Sequence, residues 1–99
     1  MMARVTFNRA SGLLCAYLAG EIDHHSAQLL RQRIDSQLLM GGQSRLILDF
    51  SAVTFMDSSG LGLILGRKRL IQSMGGRLSV QHPPQQIKKV LDLAGVDYV

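Results

Sequence analysis

Ninety-nine residues, 46% hydrophobic and 18% charged, suffice for one domain with one apolar core and are too apolar for a disordered tail. The formal charge of +4 raises the question of nucleic acid, but the basic residues are scattered over every element and only Arg67-Lys68-Arg69 forms a tight cluster. With no aromatic interleaving to stack bases and no apolar run approaching the ~20 residues of a membrane span, neither nucleic acid nor a bilayer is an expected partner.

In chain order, residues 4–7 alternate weakly and residues 8–12 form a turn cluster. Residues 13–18 are apolar and β-compatible, so the first two strands are predicted to pair as an antiparallel hairpin. Cys15 lies in that second strand; as the single cysteine it excludes an internal disulfide and reads as a buried, inert thiol. The opening MMARVTFNRAS lacks the apolar core of a signal peptide, and a cytoplasmic protein is expected. Gly20, Glu21, Ile22 and Asp23 close the strand, and Asp23 or Ser26 can cap the helix after it. Ala27, Leu30, Ile34 and Leu38 are spaced by three and four, which predicts that this helix is amphipathic and ends before Gly41-Gly42.

Residues 45–49 form a short apolar strand of the kind covered on both faces. A loop is predicted from Asp49 onward, until Asp57, Ser58, Ser59 and Gly60 open a second helix. Gly75-Gly76 stops it, and residues 77–80 make another strand. Pro83-Pro84 starts a third helix carrying Ile87, Val90, Leu91 and Ala94, Gly95 ends it, and residues 96–99 begin a last strand. The fold class is therefore α/β: a mixed sheet in which a hairpin is followed by parallel strands, with helices as right-handed crossovers. Loops beyond the strand C-termini then gather on one edge, bringing residues 21–25 beside residues 49–60.

The second helix has a sided pattern. With Leu61 as the origin and about 100° per residue, Leu63, Ile64, Leu70, Ile71 and Met74 form a core-facing stripe, and Lys68, Arg69, Gln72 and Ser73 a solvent side. Leu61 and Leu65 fall on the solvent side with no core to enter. Ser58 comes to roughly 60° and Ser59 to roughly 160°, so Ser58 should face outward and Ser59 toward the sheet. Arg67 falls inside the core stripe and must snorkel or pair. Gly60 and Gly62 are read as keeping the outer helix surface low for an approaching protein.

The string FMDSSGLG after a DFS strand end, with GEIDHHSA upstream, resembles the STAS domain. Within it, the resemblance is to the anti-sigma-F factor antagonists of endospore-forming bacteria, and it covers nearly the whole chain. It implies a STAS fold over residues 1–99 as a single domain; the family usually continues into a C-terminal helix that this sequence, stopping at Val99, lacks. It also implies that Ser58, the first serine of DSSG, is phosphorylated. The partner would be an anti-sigma factor with serine kinase activity that supplies the phosphoryl group from ATP, and a serine phosphatase would remove it. The expected partner surface comprises Glu21, Asp23, His24, Met56, Asp57, Ser59, Gly60, Leu61 and Leu65 around Ser58.

Catalysis and metal binding are read as absent, with no cofactor. His24 and His25 are adjacent and point about 100° apart, so they do not readily share a metal. Asp23, Asp49 and Asp57 could in principle hold Mg²⁺ or act as acid and base, but two caps and a strand-end carboxylate are the simpler account. The Gly60, Gly62 and Gly66 spacing lacks the GK[ST] of a phosphate loop. Two classes stay open: a phosphorylatable binding module, in this pathway or as a stress-response scaffold or lipid-transport accessory, and a small hydrolase or phosphotransferase using Asp57, Asp23 and a helix N-terminus.

Overall fold

The structure, a computed structural model, describes residues 2–99. Its elements run β1 (Arg4–Ala10), β2 (Gly12–Ile22), α1 (His24–Leu39), β3 (Gln43–Met56), α2 (Ser58–Ser73), β4 (Arg77–Gln81), a 3₁₀ turn (Gln85–Ile87), α3 (Lys88–Ala94) and β5 (Asp97–Tyr98). The five strands lie side by side in sequence order; β1 and β2 are antiparallel, and every later pair is parallel. Each parallel step advances in the same direction across the sheet. With one crossover hand, such steps place all connecting helices on one face.

That face holds the core. Leu30, Ile34 and Leu38 of α1, Leu63, Ile64 and Ile71 of α2, and Leu91 of α3 are buried over Leu14, Ala16 and Leu18 of β2, Leu46 and Leu48 of β3, and Leu78 and Val80 of β4. The opposite face carries no helix and is polar at its edges: Thr6 and Asn8, paired with Tyr17 and Cys15, are exposed. Cys15 itself is buried, as its strand pattern requires.

Three expectations need correction. First, β3 does not end at Asp49 in a loop; it continues to Met56, and Asp57 alone separates it from α2. Val53 and Phe55, β-branched and aromatic, hold the ladder to β2 opposite Gly20 and Glu21, with Thr54 skipped at the register shift between those two and a further shift near Tyr17/Ala19. Second, the third helix begins later than the two prolines imply: Pro84 precedes a 3₁₀ turn, and the α-helix starts only at Lys88. Third, Met74 and Val90, assigned to apolar stripes, are 40% and 37% exposed. Met74 is the C-cap of α2 and has left the helical register that placed it inward.

Candidate functional site

The C-terminal ends of β2 and β3 form one rim. Ile22 pairs with Met56, and the amide of Asp57 donates to the carbonyl of Ile22 at 3.1 Å. Both following helices therefore start side by side. Each opens with an aspartate cap. Asp23 accepts from the Ser26 amide at 2.8 Å, while Ser26 Oγ accepts from the Asp23 amide at 2.9 Å, a reciprocal capping box. These bonds from Ser26, backbone first, hold the Asp23 carboxyl below its ordinary value. Asp57 accepts from the Ser59 amide at 2.8 Å, and its carbonyl takes the Gly60 amide at 3.0 Å. The capping roles read from sequence are met at both positions.

Ser58 is the first residue of α2 and is exposed; its hydroxyl makes no hydrogen bond among the described residues. Glu21, Asp23 and His24 are exposed on the neighbouring rim, and Met56 is half-buried beneath it. Leu61 and Leu65 are not free of the core, as expected from the helical wheel, but half-buried and packed at its margin. Part of each still faces outward beside Ser58.

Ser59 does not turn toward the sheet. It is half-buried and lines the groove between α1 and α2, opposite His24 and Gln28. Gly60 does not lower the outer surface either: it is buried, and a Cβ there would run into Cγ and Sδ of Met56. Its role is to let the first turn of α2 close over the end of β3. Gly62, by contrast, is exposed, and a Cβ added there would meet nothing within 4 Å, in line with a low surface.

Arg67 resolves as a pair. Its Nε lies 2.8 Å from Oδ1 of Asp35 on α1, with only 9% of its side chain exposed. The two atoms meet as charges without the alignment of a hydrogen bond. Burial pulls the guanidinium below its ordinary pKa, and Asp35 opposes that shift. Asp35 was missed in the sequence because only the packing of α1 against α2 brings it near. Phe55 was missed too. It is 54% exposed and pairs in register with Glu21, which adds an aromatic side chain to the same rim.

Asp49, weighed as an acid–base or Mg²⁺ residue, lies away from this rim. It is buried and accepts from the Ser51 hydroxyl at 2.6 Å and the Ser51 amide at 3.0 Å, with His82 Nδ1 at 3.2 Å. Asp23, Asp49 and Asp57 are thus each used locally. No three His, Cys, Asp or Glu side chains come together as metal ligands among the described residues.

A rim of capped helix starts on a one-sided, sequentially ordered sheet, closed by a DSSG turn, defines a class, and residues 4–99 match the STAS domain model. The chain belongs to the STAS-domain family. Among its relatives is the anti-sigma F factor antagonist of Paenibacillus polymyxa, 33% identical over 96 residues, covering 97% of this chain and 82% of that protein. The fold also matches SpoIIAA, described as an anti-sigma factor antagonist in its unphosphorylated form, with a TM-score of 0.82 and 30% identity over 97% of this chain and 87% of that one. The phosphorylated form of the Bacillus cell fate determinant SpoIIAA matches with a TM-score of 0.79 and 31% identity, covering 94% and 85%.

Proposed function

We propose that this protein is an anti-sigma factor antagonist: a binding protein, not an enzyme, that captures an anti-sigma factor and is switched off by phosphorylation of Ser58. The observation that carries the reading is the unpartnered, exposed hydroxyl of Ser58 on the first turn of α2, beside the half-buried Leu61 and Leu65. An acceptor serine needs exposure and no base of its own, and the flanking apolar side chains supply area for a partner to cover. The partner surface comprises Glu21, Asp23 and His24 with Met56, Asp57, Ser59, Gly60, Leu61 and Leu65, to which the exposed Phe55 is added. Gly60 contributes by positioning the turn.

The anti-sigma factor itself acts as the kinase in this reading, a separate serine phosphatase resets the switch, and the sigma factor released is a sporulation one. The Paenibacillus relative and SpoIIAA support the class, and no helix among the described residues is long and apolar enough to cross a membrane. We place the protein in the cytoplasm with its partner. Incubation with γ-labelled ATP and candidate anti-sigma kinases tests the proposal. Label is expected on the wild type and on Ser59→Ala but not on Ser58→Ala; label retained by Ser58→Ala refutes the assignment.

A further inference from the structure

Beyond Asp49, β3 loses a neighbour. β4 pairs with it only as far as Asp49 and Gln81, while β3 continues to Met56 with β2 on one side and no strand on the other. No main-chain hydrogen bond joins residues 51–56 to the chain beyond Gln81 among the described residues. Thr54 is skipped in the ladder to β2 as well, and a bulged residue is left without a ladder partner. Exposed strand edges are ordinarily guarded by charged side chains or proline. Residues 50–56 carry neither.

The course of the chain keeps this edge bare. His82, just past the end of β4, is the one non-glycine residue with a positive φ, 53°, among the described residues. Its ring lies 3.2 Å from the buried Asp49 carboxylate, and its amide donates to the main-chain oxygen of Val99 at 2.9 Å. A left-handed conformation at such a residue persists only where its surroundings fix it. Pro83 and Pro84 follow, with no amide to add to a ladder. The turn at His82 thus takes the chain off β3. Pro84 and Gln86 become the far wall of a slot of about 240 Å³ whose near wall is residues 53–56.

Resting on the Ser58 reading and deepening it, we propose that this slot seats an extended, uncharged segment of the anti-sigma partner, which adds a strand to the bare edge of β3. The slot lies where the next strand would run, about 4.8 Å from β3, so it suits extended main chain. A helix, about 10 Å across, is too wide for that place. No residue lining the slot is charged, and none calls for a charged complement. Its near wall leads through Asp57 alone to Ser58, so a segment seated there lies within a few residues of the acceptor hydroxyl. Main-chain pairing at a sheet edge supplies affinity, and side chains along the edge, here the exposed Phe55, supply specificity. A second copy of this chain fits less well, because its own β3 edge stands behind the same wall.

The probe is the anti-sigma factor that labels Ser58, mixed with unphosphorylated chain, and amide hydrogen exchange is followed by NMR in the free chain and in the complex. The amides of residues 51–56 that exchange fastest in the free chain should slow at least tenfold in the complex. Ala52→Lys, at an exposed position, puts a guard charge on the edge and should weaken binding at least tenfold while the thermal midpoint holds. Thr54→Pro, which removes a main-chain donor, should do the same; if it fails to fold, Ala52→Lys decides. Fast exchange retained at the edge in the complex, or an affinity unchanged in Ala52→Lys, would overturn the proposal and leave the Ser58 reading standing. Slowing that appears without the partner and grows with chain concentration would assign the edge to a second copy and overturn it too. If no anti-sigma factor binds or labels the wild type, both readings fall together.

Discussion

At the scale of single residues, the proposed switch turns on one hydroxyl. A phosphoserine at position 58 would add a charge of about −1.5 to −2. The N-terminus of α2 favours it by about 0.3–1 kcal/mol, and the adjacent Asp57 cap opposes it. Little refolding should follow. The larger cost belongs to the complex, where an unmatched charge buried beside Leu61 costs on the order of 2–5 kcal/mol. Ser58→Asp and Leu61→Asp should therefore both lose partner affinity by well over tenfold. Because Leu61 is half-buried, its replacement should also lower stability by about 1 kcal/mol. Calorimetric binding alongside thermal melting checks both, and a Leu61→Asp variant that binds normally would remove that residue from the surface. Asp57 and Asp23 were legible in the sequence because capping is a local matter, and the exposure of Ser58 because its angle on the helix points it outward. The place of Ser59 was not, since a helical wheel gives an angle but not which neighbour stands there.

The elements around the site are tied by contacts that only tertiary structure supplies. Met56 ends β3, and its side chain occupies the space that a side chain at position 60 would need. Gly60→Ala should thus destabilise the fold by roughly 1–3 kcal/mol through overpacking. In a Met56→Ala background the same change should cost clearly less, so denaturation of the four variants should show a coupling beyond about 0.5 kcal/mol. Strict additivity would mean that the two residues do not compete for space. The length of β3 was hidden for a related reason. Asp49 and Ser51 break the apolar run, so the strand reads as ending at Asp49, whereas its continuation is fixed by pairing with β2. Arg67 belongs here as well: its inward angle was readable, but its carboxylate partner lies 32 residues away on another helix.

Across the whole molecule, the face without helices holds one buried charge, and this makes stability depend on pH. Burial pushes the Asp49 carboxyl up, but the hydrogen bonds from Ser51 and the nearby His82 outweigh it and hold the group below its ordinary value of 3.8. A carboxyl depressed in the folded state contributes stability above its unfolded pKa and loses it as pH falls through the folded one. Melting curves should show the advantage of the wild type over Asp49→Asn intact at about pH 5 and shrinking below about pH 3.8; a constant difference down to about pH 2 would contradict this. The α/β class and the hairpin followed by parallel strands were legible, because turn glycines and apolar spacing mark the elements. The face without helices was not, because residues 45–49 read as an apolar run of the kind covered on both sides. Strand order also bears on how the molecule is made. Since each strand lies beside the one before it, a chain emerging from the ribosome can add every new strand to an edge that already exists. No strand must be inserted between two earlier ones. The sheet can grow at the pace of synthesis, with β3, the strand that carries Met56 to the rim, docked on β2 before β4 has been made.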